Sequence, residues 1–426
     1  MKRVLTVLLA LLFVLLAASC GKKTDDETFT PALDTETACK ISVVGSYDNF
    51  EALEAEFDRF NEYYPNVELS YTKIDNYNNA IATVLSGNDA PNVFFSFSWM
   101  TGNEAYDGVF ARMEDLADPA LGLDLDCIRP GLLRRDAEGR VLTVPIFSTS
   151  YGMLINEDLF RKEGLSVPTT LQELLDVCAS FREKGYASPM MGYSANPSNS
   201  LMNTVAYPIF AGTLAEHPEM VAPANRGDSA AGEYMRPALE TISRLLDAGC
   251  FDLKECAEIS DNYSKVIMRF FKGDVPMMVC TGDTVSGTKK RESQSEEFTA
   301  NPFTYSFAPI PTTDKGGYFL DSTSVQFSVN NACADLDMTN EFMRFLITKT
   351  ELNRMASVKR LITPSTDLSF DLVYAPIGAA APELVVSPTA LGIEDPLAVQ
   401  IRLAAFRVGT KELTIDEAVA QYGTLK

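Results

Sequence analysis

The hydrophobic positions of the chain alternate between short apolar runs and stretches with a period near 3.6. Lys40–Ser46 (KISVVGS) is a short run closed by Gly45 and Ser46, and it predicts a strand. Phe50, Leu53, Phe57, Phe60 and Tyr64 then share one helical face, with Asp48 to Glu51 as the start signal and Pro65 as the stop. Val67–Tyr71 (VELSY) alternates like a strand. Tyr77–Leu85 is amphipathic and ends before Gly87, and Pro91–Ser96 (PNVFFS) reads as a buried strand. This βαβαβ order predicts a doubly wound α/β body.

The middle of the chain repeats the alternation with longer helices. Met153-Leu154-Ile155 is too short for a helix and predicts a buried strand. Thr170 to Glu173 fits a capping box, Leu171, Leu174, Leu175, Cys178 and Phe181 recur at helical spacing, and Gly185 closes the helix. Tyr234–Leu246 and Tyr263–Phe271 are helical by period, as is Thr339–Leu346. Near the end, Asp395-Pro396 places proline at a helix start, and Thr414 to Glu417 forms a second capping box.

The first residues follow another pattern. Lys2-Arg3 precedes an apolar run from Val4 to Leu16, shorter than the roughly 20 residues that span a bilayer. Ala17-Ala18-Ser19-Cys20 resembles the bacterial lipoprotein signal, in which the cysteine becomes the acylated N-terminus, although Ala17 stands where Leu is commonest. That resemblance makes 1–20 a signal peptide ending at a lipidated Cys20; the alternative is an ordinary secretory signal. Residues 21–38 are polar, acidic and poor in large apolar side chains, so they are expected to be a flexible tether. The roughly 390 residues beyond the tether exceed one simple core and favour two lobes.

The order VP, YG, INEDLF, GL and PTTL between Val144 and Leu171 resembles the segment shared by bacterial extracellular solute-binding proteins of sugar-type ABC importers. LSGNDAPNVFF (Leu85–Phe95) and FKGDVPMMV (Phe271–Val279) resemble two further signatures, with Asn92 where Asp is usual in the family. The resemblance implies a two-lobed periplasmic-binding-protein-like fold of type II, with doubly wound sheets and three hinge crossings. These crossings are expected near Phe147–Ser150, Val275–Val279 and Phe327–Asn330. The first lobe would hold 39–147 and 279–328, and the second 148–278 and 329–426. By position in the family, Tyr47, Trp99, Tyr151, Tyr193, Asn196, Asn203, Asp283, Asp321 and Ser322 become candidate ligand contacts. Trp99, the only Trp, follows a strand at the end where ligands gather in open α/β sheets, and its ring suits the apolar face of a sugar. A carboxylate such as Asp283 accepts from two sugar hydroxyls. For each residue a packing or capping role is the alternative.

Composition narrows the functions. A net charge of −22 argues against nucleic acid, which needs clustered Lys and Arg. The only His, His217, sits in a polar stretch (EHPE), which leaves no Ser-His-Asp triad and no His-based metal motif. Neither a P-loop nor a GxGxxG fingerprint is present. With 58 Asp and Glu, a chance carboxylate pair carries no weight for glycan hydrolysis. Besides Cys20, an odd number of cysteines remains, and no spacing fits zinc; Cys178 falls on an apolar helix face, and Cys250 and Cys256 are close enough in sequence to bridge. The expectation is a non-enzymatic, cofactor-free and metal-free monomer on the extracytoplasmic face of the membrane. It would capture a carbohydrate between its lobes and deliver it to ABC permease subunits, touching the membrane through its lipid alone. The alternatives are a receptor subunit feeding a sensor kinase and a glycan-active lipoprotein.

Overall fold

The computed structural model describes residues 29–87, 89–100, 106–110, 112–198, 200–259 and 263–426. The signal peptide and Cys20 lie outside the described residues. The folded body is Leu33–Lys426. Part of the expected tether belongs to that body: the Leu33 N–H donates to the Tyr64 hydroxyl at 3.2 Å, and the Asn66 amide donates to the Glu36 carbonyl at 3.3 Å.

Among the described residues the strands are β1 (Cys39–Gly45), β2 (Val67–Lys73), β3 (Val93–Ser96), β4 (Val144–Pro145), β5 (Ser148–Thr149), β6 (Tyr151–Asn156), β7 (Met190–Met191), β8 (Met277–Thr281), β9 (Tyr305–Ala308), β10 (Phe319–Leu320), β11 (Ser322–Thr323), β12 (Gln326–Val329) and β13 (Val385–Val386). One five-stranded sheet runs in the order β2-β1-β3-β12-β4, and one four-stranded sheet in the order β7-β8-β6-β9. Each sheet is the centre of one lobe.

The first lobe forms as the βαβαβ reading requires. β1 pairs parallel with both β2 and β3, and the helices Glu51–Asn61 and Tyr77–Leu85 make the connections. The first of these starts at Phe50 with no side-chain cap, so the polar Asp48-Asn49 pair does not cap it. Its apolar face buries Leu53, Phe57 and Phe60, and Phe60 meets Phe342 edge to face at 5.2 Å. β12 joins β3 antiparallel and carries the helices Leu336–Leu346 and Lys349–Lys359 back onto the first lobe, where both pack against Glu51–Asn61.

The second lobe takes its sheet from four distant stretches. β6 pairs antiparallel with β8 and β9, and β7 is parallel to β8. Gly152 is required in β6, because a Cβ there would run into the Ala308 carbonyl on β9. Thr170 caps the helix Leu171–Glu183, Ser200 caps Leu201–Glu216, and Thr414 and Glu417 form a full capping box on Ile415–Ala420. The helix Asp395–Gly409 packs on Leu201–Glu216.

This topology corrects the expected lobe boundaries. Met277–Thr281 does not return to the first lobe; it is buried between β7 and β6 in the second. Residues 336–359 belong to the first lobe, because β12 runs antiparallel to β3 and delivers them there. The chain crosses between the lobes at residues 146–150, 321–325 and 360–366. The crossings at 321–325 and 360–366 differ from those expected near Val275–Val279 and Phe327–Asn330. The same segments are linked to each other, since β5 pairs with β11 and Ser148 bridges Ile362; Ser365 also bridges Ile128 of the first lobe.

The seven cysteines among the described residues are all free, so Cys250 and Cys256 form no bridge. Cys250 lies instead against Cys178 inside the second lobe. Their thiol contact, together with burial, raises the Cys178 thiol well above its ordinary range.

Candidate functional site

A cleft of about 920 Å³ opens between the lobes. Its floor is the ribbon of β5 and β11 with the crossing that follows, presenting Thr149, Ser322, Thr323 and Ser324. A strand of small hydroxyl residues suits this place, since it pairs its backbone with its neighbour and leaves hydroxyls for the cleft. Thr149 Oγ1 is buried and makes no hydrogen bond of good geometry within the protein. Such a group costs roughly 1–3 kcal/mol unless something satisfies it.

The second lobe supplies one wall. Tyr151, at the start of β6, meets Tyr207 edge to face at 5.5 Å. Tyr207 stands one helical turn beyond Asn203 on Leu201–Glu216, so both face the cleft, and Arg402 comes from the helix Asp395–Gly409. Burial, reinforced by the Asp283 charge, pushes the Tyr151 phenol up to about 12, and Arg402 partly offsets the shift. Burial also raises the Tyr207 phenol. Both hydroxyls therefore stay protonated at neutral pH, where each donates as well as accepts.

Asp283 stands just after β8, at the head of the short helix Gly282–Ser286. Water reaches its carboxylate, yet protein surrounds it deep in the cleft. Burial therefore raises its pKa, while the hydroxyls of Ser324 and Thr149 pull it back. Ser324 donates to Asp283 Oδ1. Thr149 is near enough to favour the charged form without making a well-aligned bond.

The first lobe supplies the facing wall with Phe97, Asp126, Arg134, Arg135 and Gln326. Arg134 Nη2 lies 3.8 Å from Glu394 Oε1 on the second lobe's side. Phe97 also lines a second, more open groove with Trp99, Lys73, Asn76 and Asn79. Phe97 and Trp99 are nearly parallel, 12° apart with centroids at 6.1 Å.

Among the candidates from the sequence, Tyr151, Asn203, Asp283 and Ser322 line the cleft. Trp99 lines the adjoining groove. Tyr47 does not reach the cleft: its ring packs edge-on against Phe50 and Phe95, with Lys359 Nζ 5.2 Å from the ring centre. Tyr193 is buried in the second lobe's core and its hydroxyl accepts from the Asn196 amide at 2.5 Å, so this pair holds a turn. Asp321 is also removed from the ligand set, because the Arg129 fork holds both its oxygens, at 2.8 and 2.7 Å. Tyr207, Phe97, Arg134, Arg135 and Arg402 were not anticipated. The spacing of Tyr207 from Asn203 was the one available signal among them.

Among the described residues no cluster of three or more His, Cys, Asp or Glu side chains could hold a metal ion, and no helix is long and apolar enough to cross a membrane. The two lobes meet around a polar cleft with aromatic faces. Residues 45–351 match the family of bacterial extracellular solute-binding proteins, and the chain belongs to that family. Over 188 residues it is 24% identical to the melibiose/raffinose/stachyose-binding protein MelE of Bacillus subtilis (strain 168). That match covers 44% of this chain and 42% of the relative, so it spans less than half of either protein. The fold is similar to apo RafE of Streptococcus pneumoniae, with a TM-score of 0.67, 16% identity and coverage of 93% of this chain and 100% of the other. It is also similar to the sugar-binding protein MalE of Xanthomonas citri, with a TM-score of 0.69, 16% identity and coverage of 90% and 95%.

Proposed function

We propose that the protein captures a neutral oligosaccharide in this cleft, closes on it and presents it to the permease of an ABC importer. The observation that carries the reading is the Tyr151–Tyr207 pair beside the unsatisfied Thr149 hydroxyl, Asn203 and Asp283. Aromatic faces suit the apolar side of a pyranose, and hydroxyl, amide and carboxylate groups suit its rim. The cleft volume lies near the top of the roughly 300–1,000 Å³ typical of ligand pockets, which favours a ligand of several sugar units. The name of the MelE relative points the same way, towards melibiose, raffinose and stachyose. Trp99, next to the cleft across Phe97, reports on occupancy.

Raffinose and stachyose are the probes. Either should raise the melting temperature and change Trp99 emission, by about 2.7 kcal/mol of stabilisation at a hundredfold excess over Kd. Tyr207→Ala should weaken binding by roughly 1–3 kcal/mol, or about ten- to a hundredfold in Kd, and stay folded. The reading fails if no sugar in a panel of neutral mono- and oligosaccharides shifts the melting temperature.

Anchoring through Cys20 belongs to the same proposal, and it rests on the sequence around that residue. Acyl chains on that cysteine would hold the body at the outer face of the membrane. Cys20→Ala should move the protein from the membrane fraction to the soluble one. Retention of the variant on membranes would remove the anchor from the proposal.

A further inference from the structure

Arg129 lies outside the cleft, in the first lobe's loop between the short turns Leu125–Cys127 and Pro130–Leu132. Its guanidinium uses every N–H it has. Nε and Nη2 donate to the two Asp321 oxygens at 2.8 and 2.7 Å. Nη1 donates to the Thr363 and Ser365 carbonyls at 2.5 and 2.9 Å, and Nη2 also donates to Ser148 Oγ at 2.8 Å. An arginine side chain has five N–H groups in a rigid fork, and here none is left for a ligand. Ser148, Asp321 and Thr363 to Ser365 belong to the three different crossings between the lobes. The Ser148 hydroxyl adds to the junction by lying 3.1 Å from both the Ile362 and Thr363 carbonyls.

We infer that Arg129 is the pivot of lobe closure: a positioning residue that fixes the spacing of all three crossings and, through them, the hydroxyl floor of the cleft. Hinge closure turns two rigid bodies about a few residues that absorb the backbone change. Three separate strands define one axis only if something holds them together, and a saturated planar fork does so without adding backbone of its own. The same contacts reach the ligand side at one remove. Ser148 precedes Thr149 and Asp321 precedes Ser322, so two of the residues held by Arg129 are next to two that line the cleft. The pair is buried, with 11% of the arginine side chain and 7% of the aspartate side chain exposed, so solvent loosens these bonds little.

The inference rests on the two-lobed architecture and is independent of which solute binds, so its test needs no sugar. Spin labels carried by a non-natural ketone residue at exposed Glu54 on the first lobe and Glu240 on the second report the distance between lobes in the ligand-free full chain. The parent should give one narrow distribution. Arg129→Met combined with Asp321→Leu removes both charges, so no unpaired ion is left buried. This double variant should melt close to the parent, yet its distance distribution should broaden about twofold as the crossings lose their common donor. Arg129→Lys keeps the charge but cannot reach both carbonyls and both carboxylate oxygens. It should broaden the distribution to an intermediate width, and it provides the reading if the double variant does not fold. Parental width in whichever of the two variants folds overturns the pivot, because a purely structural ion pair would move melting alone.

Discussion

Two sites that bury acidic side chains neutralise them differently. At the crossings, Asp321 meets a guanidinium whose donors are all engaged. On the back of the first lobe, Glu56 of the helix Glu51–Asn61 faces Glu351 of Lys349–Lys359. Arg59 serves this pair unevenly. It donates to Glu351 Oε1 at 2.6 Å and Oε2 at 3.1 Å, while its Nε lies 3.3 Å from Glu56. Neither Glu56 oxygen meets a donor of good geometry. Burial, with the facing Glu351 adding to it, raises the Glu56 carboxyl above its ordinary range, so this site favours the neutral acid where the hinge holds an ion pair. The difference follows from the number of donors that reach each site. Two N–H groups of a buried guanidinium pair with both oxygens of Asp321, whereas Arg59 and Arg354 serve Glu351 and leave Glu56 without a well-aligned donor.

Removing one charge from each site tests this contrast where its effect is largest. Asp321→Asn keeps the size of the side chain and removes the counter-ion from a buried guanidinium. It should cost about 3–5 kcal/mol in denaturant unfolding. Arg59→Met removes the donor at the other site, but the Arg59 side chain is 31% exposed and Arg354 remains 3.4 Å from Glu351. Its cost should be about 1 kcal/mol. Equal losses in the two variants would mean that both sites hold an ordinary ion pair.

The same contrast shows how much the sequence discloses. The βαβαβ start of the first lobe is legible because its pattern is local: apolar periods, Pro65 and Gly87 act within a few residues. Tyr151, Asn203, Asp283 and Ser322 line the cleft, and the route to them from the sequence was their position in the family that the chain resembles. The role of Asp321 is hidden, because its partner Arg129 lies 192 residues earlier and nothing local distinguishes a ligand carboxylate from a paired one. Lobe boundaries are hidden for a related reason. The apolar run Met277–Val279 announces a buried strand, but only pairing decides which sheet receives it. Arg134, Arg135 and Arg402 carry no periodic signature and reach the cleft by tertiary packing alone. Tyr207 was within reach, since it stands four residues after Asn203 on one helix.

The proton at Glu56 leads to the smaller and more specific expectation. Burial is the main cause that raises its pKa, and the facing Glu351 adds to it, while Arg59 and Arg354 oppose the shift without cancelling it. The folded state therefore holds a proton at pH values where an unfolded glutamate has released its own. Between those limits unfolding releases a proton, and stability falls as pH rises. The contribution is complete below the ordinary glutamate range and is lost on the way up through the folded pKa, at no more than about 1.4 kcal/mol per pH unit. Glu351 has the opposite sign: burial would raise it, but the bonds from Arg59 and Glu56 outweigh burial and lower it. Its stabilisation is lost only as pH falls below the ordinary glutamate range, so the two residues act in separate windows. Glu56→Gln keeps the shape and a hydrogen-bond donor towards Glu351 but cannot ionise. Melting curves from pH 5 to 9 should show the parent losing stability relative to this variant as pH rises. The two should be closest at the acid end, where Glu56 is protonated. A constant difference across that range would show that Glu56 is charged in the folded state, and the contrast with Asp321 would then reduce to the number of donors at each site.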